Sequence, residues 1–173
     1  MTDLQLMDEA LKLAERAMAL GEVPIAAVIA RQDQIIGWGW NELNAKRDKT
    51  MHAEIVAFRD AAGRYPIDAT DLVLVSTLEP CVMCYGAALL SGVSRIVYAL
   101  DAPADGGLKR VRPPKSPDTH VPQIFSGARR DIALRQFQRW LQQHPQQDSQ
   151  REYVSQLLRL NGESSYPSPS GGG

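Results

Sequence analysis

The sequence predicts an α/β fold, a three-layer α/β/α sandwich around a mixed central sheet of roughly five strands. Two observations carry this prediction. Residues 25–30 and 35–41 are apolar runs joined by a short polar turn, which favours an antiparallel hairpin. Residues 72–100 then show a strand, helix, strand pattern, which implies a right-handed crossover with parallel pairing. A hairpin joined to a partly parallel sheet gives a mixed sheet with helices on both faces.

A helix over residues 2–20 precedes the hairpin. Thr2 and Gln5 have the spacing of a capping box, and Gly21 is typical of a helix C-terminus. Apolar side chains recur along this helix at helical spacing, and we expect them to face the core. They are Leu4, Met7, Leu11, Ala14 and Met18.

A polar, mostly basic loop over residues 44–49 follows the hairpin. Thr50 is a candidate N-cap for a helix over residues 51–62, which Gly63 would end. The apolar stripe of this helix should also face the core. It consists of Ile55, Val56 and Phe58.

The second half of the predicted sheet is built from shorter apolar runs. Residues 72–76 and 95–100 are strands, with a helix over residues 81–91 between them. A long loop rich in proline, glycine and aspartate occupies residues 101–118, and loops of this length are often functional. Residues 120–125 are expected to add an edge strand, because the proline within them suits only an edge.

The length of 173 residues and the ordinary apolar content indicate one domain, which we place at residues 1–160. Its last part, residues 128–160, contains two C-terminal helices. The second of these begins at Ser149 and Glu152, which again have capping-box spacing. Residues 161–173 are rich in serine, proline and glycine and are expected to form a disordered tail.

Charge and cysteine content favour a cytoplasmic protein that does not enter membranes. No apolar run approaches the roughly 20 residues needed to cross a bilayer. The N-terminus lacks the basic start and apolar core of a signal peptide. The chain has only two cysteines, three positions apart, and therefore no disulfide framework.

The net charge of −1 hides an uneven distribution. Residues 108–140 contain eight lysines and arginines against two aspartates, a local charge of +6. The plainer interpretation is a solvated helix face followed by a basic loop. The functional interpretation is an edge of the molecule that faces phosphates. The sequence leaves both open.

A metal site is indicated by Cys81 and Cys84, the only cysteines, with Pro80 before the first. A helix that begins at this proline places both sulfurs on its first turn, where the positive helix end favours thiolates. Two thiolates are half of a tetrahedral zinc site. His52, one of three histidines, can supply a third ligand. Catalytic zinc sites use three protein ligands and keep the fourth position open.

Glu54 lies two residues after His52, too close in sequence for a comfortable fourth ligand from the same helical turn. A carboxylate there can take a proton from an attacking water and pass it to a ring nitrogen, and then to a leaving amine.

Each half of the motif alone has a plainer interpretation. The C-x-x-C half fits a redox dithiol, and the H-x-E half can arise by chance on a helix face. Together, H-x-E…P-C-x-x-C is the signature of zinc nucleobase deaminases. His120, after the long loop, and His144, in a glutamine-rich linker, have weaker claims as ligands.

The residues around these motifs resemble the cytidine-deaminase-like superfamily. Within it, they are most similar to bacterial tRNA-specific adenosine deaminases, which convert the wobble adenosine of an anticodon to inosine. The resemblance covers about residues 4–107. It rests on Gly-Glu-Val-Pro at 21–24, Gly-Trp-Asn at 39–41, His-Ala-Glu-Ile at 52–55, and Thr-Leu-Glu-Pro-Cys-Val-Met-Cys at 77–84 followed by Gly-Ala at 86–87.

The resemblance implies one zinc ion bound by the three ligands named above, with Glu54 as the proton shuttle. It also implies that Asn41 hydrogen-bonds the substrate, although a turn-forming asparagine after a strand is an alternative. Two further residues are expected at the substrate, Ala53 and Tyr85. A homodimer is implied by the resemblance alone.

Three departures from the family pattern lie at positions that surround the substrate entrance in the family. Residues 104–114 lack the usual run of small residues, Asp48-Lys49 replaces an Asp-Pro pair, and Tyr85 replaces a small residue. They leave the deamination chemistry in place and leave the choice of substrate open.

The first predicted function is therefore deamination of adenosine in tRNA. A flipped-out base would enter the pocket while Lys46, Arg47 and Lys49 contact phosphates near its mouth. The alternative is a deaminase of free bases or nucleosides such as guanine, cytosine or adenosine, in which Tyr85 helps to close a small pocket. A third interpretation is a non-catalytic zinc-binding partner subunit. Glu54 argues against it, because a structural zinc site needs no shuttle carboxylate.

Overall fold

The computed structural model describes residues 1–117 and 119–162 of the chain. The helices in these residues are α1 Asp3–Ala19, α2 Leu43–Lys46, α3 Ala53–Ala61, α4 Val82–Leu90, α5 Arg130–Gln143 and α6 Ser149–Gly162. The strands are β1 Ala26–Arg31, β2 Gln34–Trp40, β3 Leu72–Leu78, β4 Val93–Leu100 and β5 Gln123–Ser126.

The strands form one mixed sheet in the order β2-β1-β3-β4-β5. β1 is antiparallel to β2 and β3, whereas β3, β4 and β5 run parallel. Val28 and Val75 belong to an apolar cluster with residues of α1, α5 and α6, and their neighbours Ile29 and Leu74 belong to a second cluster with residues of α3 and α4. Because successive strand residues point to opposite faces, helices cover both sides of the sheet. The structure confirms the predicted three-layer sandwich.

α1 has the predicted capping box. The Thr2 hydroxyl accepts a hydrogen bond from the Gln5 backbone N–H, and the Gln5 side-chain oxygen accepts one from the Thr2 backbone N–H. The predicted core stripe of α1 is partly wrong. Leu4 is 46% exposed, and Met18 is only partly buried. A helix that lies on a sheet buries a wide arc, so the core contains further residues of α1. These are Leu6, Ala10, Leu13 and Ala17.

α3 begins at Ala53, and Thr50 is not its N-cap as predicted. His52 takes the N-cap position with an extended backbone (φ −70°, ψ 151°), while Thr50 is hydrogen-bonded to Asp48 in a turn. The predicted core stripe is largely wrong, because Ile55, Val56 and Phe58 are only partly buried, and of these three only Phe58 packs against the apolar cluster of α3 and α4. The buried residues of α3 are instead Ala53, Glu54, Ala57 and Ala61.

Two glycines of β2 explain why the small side chains of α3 face the sheet. A Cβ at Gly39 would lie 2.1 Å from the carbonyl oxygen of Ala53, and a Cβ at Gly37 would lie 2.4 Å from that of Ala57. Glycine at both positions lets the α3 backbone rest directly on β2. This close contact sets the position of His52 above the sheet.

α4 connects β3 to β4 in the predicted crossover, and Cys81 is at its N-cap position. The predicted loop at residues 44–49 contains most of the short helix α2, which ends at Arg47 in the left-handed conformation (φ 52°).

α6 begins after Asp148, whose carboxylate accepts from the backbone N–H of Arg151 at 2.9 Å. Asp148 therefore caps this helix, and the predicted Ser149 does not. α6 extends to Gly162, past the predicted end at residue 160. The remainder of the predicted tail, residues 163–173, lies outside the described residues. Within the described part of the chain, no helix has both the length and the apolar character to span a membrane.

Candidate metal centre and adjoining cavity

Three predicted ligand residues come together at the ends of two helices. The His52 Nδ1 atom lies 3.4 Å from the Cys81 sulfur and 3.7 Å from the Cys84 sulfur, and the two sulfurs are 3.6 Å apart. Both cysteines are buried and free. Among the described residues, this is the one group of three such side chains close enough to hold a metal ion.

These distances fit a zinc ion. A zinc bound by two thiolates at about 2.3 Å and an imidazole at about 2.0–2.1 Å would separate the ligand atoms by roughly 3.5–3.8 Å in a tetrahedron. A disulfide would need sulfurs about 2.05 Å apart, so the pair is a dithiol. The set of two sulfurs and one nitrogen is also the chemistry that zinc prefers.

The local fold places the ligands by using helix N-termini. His52 and Cys81 occupy the N-cap positions of α3 and α4, and Cys84 lies in the first turn of α4. The positive ends of both helices therefore point at the cluster. Cys81 is also held by an antiparallel bridge to Gly106, and the backbone N–H of Gly107 donates to Pro80 at 2.8 Å.

The cluster favours one negative sulfur even without a cation. The hydrogen bond from the Cys84 thiol, followed by that from His52, lowers the pKa of Cys81 to about 4. The hydrogen bond with Cys81 in turn raises the pKa of His52. The same thiol hydrogen bond and burial raise the pKa of Cys84. An anionic, buried group of this kind is suited to a metal cation.

Glu54 lies in the first turn of α3, 3% exposed, with its carboxylate accepting from the Ser76 hydroxyl at 3.1 Å. Burial raises the pKa of this carboxyl group. Glu54 lines the same cavity as His52 and Cys81.

The cavity next to the cluster has a volume of about 310 Å³. Its walls come from the segments around β1 and β2, from α2 and α3, from the end of β3, from the loop after β4, and from α6. The lining residues are Val23, Ile25, Asn41, Leu43, His52, Glu54, Leu78, Glu79, Cys81, Asp105, Ser149, Gln150 and Tyr153.

Asn41 is placed in the cavity wall, as predicted. Its side-chain oxygen accepts from the backbone N–H of Ala53 at 3.2 Å, which leaves the amide NH₂ group for the cavity. Ala53 and Tyr85 are placed differently from the predicted substrate residues. Ala53 is fully buried against β2, and Tyr85, 4% exposed, packs in the apolar cluster of α3 and α4. Neither residue lines the cavity.

Sequence reasoning missed the wall that α6 contributes. The Tyr153 hydroxyl donates to Asp105 at 2.9 Å, which joins α6 to the loop beside Cys81. Burial raises the pKa of Tyr153, so the phenol stays protonated and remains a donor. Gln150 is hydrogen-bonded to Asn44 of α2. A tyrosine at helical spacing looks like a core residue, so no local pattern marks Tyr153 as part of a cavity wall.

Two further buried carboxylates support the walls of the cavity. Glu22, 1% exposed, accepts from the backbone N–H groups of Asn44 and Ala45 and so holds α2 in place. Glu79, 6% exposed, accepts from the backbone N–H of Ala102, which fixes the start of the loop after β4.

A more open groove of about 660 Å³ adjoins the cavity and shares four lining residues with it, one of them His52. Arg47 and Lys49 line this groove, together with Asp48 and Asp148. Two of the three bases predicted at the mouth of the pocket are therefore there.

Comparisons with known proteins agree with this geometry. A tRNA-specific adenosine deaminase of Buchnera aphidicola subsp. Schizaphis graminum is 44% identical over 95 residues, which are 53% of this chain and 62% of that protein. A solved structure from a study of A-to-I editing by tRNA:A34 deaminases has a TM-score of 0.66 and 29% identity, over 76% of this chain and 98% of that one. A guanine deaminase from Nitrosomonas europaea has a TM-score of 0.64 and 27% identity, over 79% and 83% of the two chains.

In seven curated relatives that this chain matches, the matched region spans 18–64% of the relative's length. Residues 1–100, more than half of the chain, match the profile of the cytidine and deoxycytidylate deaminase zinc-binding region. That stretch contains the three candidate ligands and Glu54. The chain therefore belongs to the family defined by this deaminase zinc-binding region.

Proposed function

We propose that this protein is a zinc-dependent hydrolytic deaminase that converts adenosine to inosine in RNA, with the wobble adenosine of a tRNA as its substrate. The observation that supports deamination most directly is the buried Glu54 carboxylate in one cavity with a three-ligand metal cluster. A purely structural zinc site would need neither the carboxylate nor the cavity.

The residues divide the reaction between them. One zinc ion per chain, held by His52, Cys81 and Cys84, would supply a water with a pKa lowered toward neutrality. Glu54, oriented by the Ser76 hydroxyl, would take a proton from the attacking water and deliver it to the purine ring nitrogen next to the attacked carbon. It would then pass the second proton to the leaving amine, so that adenosine and water give inosine and ammonia.

Asn41 would orient the base. Its amide oxygen is already engaged by Ala53, so its NH₂ group is fixed as a donor toward an acceptor on the substrate. Holding the base in a single orientation lowers the entropic part of the barrier.

Two observations support RNA as the substrate. The relatives include proteins named tRNA-specific adenosine deaminase and a tRNA:A34 deaminase structure. The groove with Arg47 and Lys49 continues from the cavity, where the phosphates of a nucleotide flipped into that cavity could lie.

A free purine base is the second candidate. The cavity of about 310 Å³ is at the small end of the roughly 300–1,000 Å³ typical of ligand pockets, and the Tyr153–Asp105 pair closes one wall. The similarity to a guanine deaminase fits this alternative.

The same proposal extends to the domain boundaries, the cellular location and the oligomeric state of the protein. We propose a single deaminase domain that ends with α6 at residue 162. We also propose a cytoplasmic location, because the cysteine ligands must stay reduced. A homodimer is supported by the outer face of α4, which is apolar and exposed. Val82 is 46% and Leu90 68% exposed, and Met83 and Gly86 lie between them, partly buried.

Removing one ligand tests the metal site. We expect His52→Ala to weaken zinc binding by roughly 100-fold or more, since even residues that only support the ligands are worth 10–100-fold. His120→Ala removes a histidine outside the cluster and should leave zinc content near one ion per chain. Metal analysis of the purified proteins makes the comparison. Equal zinc contents in the two variants would contradict the assigned site.

Glu54→Gln tests the proton shuttle. The amide keeps the size of the side chain and can still accept from Ser76, but it cannot take a proton. We expect unchanged zinc content and ammonia release slowed by about 10²–10⁴-fold. Full activity of this variant would refute the mechanism. A wild-type protein that binds zinc but turns over no substrate would favour a non-catalytic subunit.

The substrate is tested by ammonia release from an anticodon stem-loop RNA, adenosine, guanine and cytosine. We expect the RNA to be the best substrate, and its turnover at low concentration to fall steeply with added salt as phosphate contacts are screened. Turnover of free bases should hardly depend on salt. Preference for guanine over the RNA at every salt concentration would favour the second candidate.

Leu90→Asp tests the α4 face. If a second copy covers it, light scattering should give about twice the 19.1 kDa chain mass for the wild type and about the chain mass for the variant. Leu20→Asp is the control, because Leu20 is similarly exposed (66%) at the end of α1. A monomeric wild type would exclude the homodimer.

A further inference from the structure

The basic segment recognised in the sequence divides into two parts with different surroundings. The four arginines on and just before α5 are engaged within the protein. Arg129 pairs with Asp8, Arg135 with Asp131, Arg139 with Glu15, and Arg130 is hydrogen-bonded to Asn161. These four arginines therefore fit a solvated helix face with structural contacts, rather than a surface that faces phosphates.

The other four bases lie in the loop after β4 and are exposed. These residues, which we name the basic loop, are Lys109, Arg110, Arg112 and Lys115. Within residues 1–117 and 119–162, no carboxylate lies within ion-pair distance of any of them. Arg110 donates to the carbonyl oxygen of Gly106, which is a neutral partner. The basic loop therefore presents positive charges that form no ion pair with the described residues, although the charge of Lys109 partly offsets the rise that burial causes in the pKa of Glu79.

The basic loop is anchored to the protein. The backbone N–H groups of Arg110 and Val111 both donate to the carbonyl oxygen of Gly107, which forms a turn. Leu108 and Val111 pack against the apolar cluster of α3 and α4, so the intervening charged side chains point outward. Pro113 and Pro114 then restrict the backbone. An anchored loop loses little conformational entropy when it binds a partner.

The anchoring point is the metal centre itself. Gly106 forms a bridge with Cys81, and the backbone carbonyl of Asp105 accepts from Val82 at the start of α4. The Asp105 side chain lines the cavity. The positive charges therefore begin only a few residues from the cavity wall. A free base has no phosphate that could bind these positive charges, whereas the backbone of a polynucleotide has one at every nucleotide.

We propose that the basic loop binds the phosphate backbone of an RNA whose target nucleotide occupies the cavity. This inference rests on the proposed function, and it assigns a second contact surface in addition to the groove lined by Arg47 and Lys49. The contacts are electrostatic and set the affinity and register of the RNA without reading its sequence. The loop departs from the pattern of the resembling family, so it would be a contact particular to this chain.

The test compares two triple variants of equal charge change. Lys109→Gln/Arg112→Gln/Lys115→Gln neutralises the basic loop and keeps Arg110, which contacts Gly106. The control, Lys12→Gln/Arg16→Gln/Arg135→Gln, removes three exposed bases from α1 and α5. Binding of a fluorescent anticodon stem-loop RNA is measured between 50 and 300 mM salt, about the range over which such contacts are screened.

We expect the basic-loop variant to bind the RNA roughly 10- to 100-fold more weakly, with a salt slope reduced by about two, as three lost phosphate contacts require. The control variant should bind within about twofold of the wild type, since diffuse charge contributes little at this salt. Zinc content and any turnover of free nucleosides should be unchanged in both variants.

Binding is scored independently of turnover, so the two proposals fail separately. A basic-loop variant that matches the wild type in affinity and salt slope overturns this inference, even if the wild type deaminates the RNA. A wild type that binds no RNA also overturns it, even if free bases are deaminated. If RNA binding depends on the basic loop but the RNA is not deaminated, the proposed contact surface is supported and RNA is excluded as the substrate.

Discussion

The N-termini of two helices meet at one point above the sheet, and the whole site depends on this convergence. α3 carries His52 to that point and α4 carries Cys81 and Cys84. The parallel β3–β4 pair fixes α4, and the close contact with the glycines of β2 fixes α3. A tetrahedral ion tolerates errors of only about 0.2 Å in its ligand distances, so both helices must be held tightly.

The same convergence brings ionisable side chains together in a buried region, where charged groups are disfavoured. Cys81 is 8% and Glu54 3% exposed, and a buried charge without a partner is costly. The structure offsets this cost locally with two positive helix ends, the imidazole of His52 and the hydroxyl of Ser76. A divalent cation would complete the compensation for two thiolates. Metal binding should therefore be coupled to the stability of this part of the fold.

The sequence alone predicted the mixed sheet with its hairpin and its parallel crossover, and the metal cluster, because these depend on local patterns. Turn length and apolar runs specify strands, and few residue types bind zinc. The buried face of α3 was not predictable in the same way. Its bulky residues follow the usual helical pattern, but Gly37 and Gly39 on another element let alanines face the sheet.

The parts of the cavity that are remote in sequence were the hardest to predict. Tyr153 reaches Asp105 across 48 positions of the chain, and nothing in either local sequence marks the pairing. Tyr85 follows the metal ligands directly, yet it turns into the core because residues one apart on a helix face different directions. Adjacency to a motif is therefore a weaker guide to the cavity wall than the tertiary packing of α6.

The most direct test of a three-ligand zinc centre with an open position is zinc K-edge X-ray absorption on the purified protein. The structure predicts two sulfur neighbours at about 2.3 Å and two lighter neighbours at about 2.0–2.1 Å, one from His52 and one from water. A spectrum with four protein-derived sulfur or nitrogen neighbours and no exchangeable one, or with fewer than two sulfurs, would contradict it.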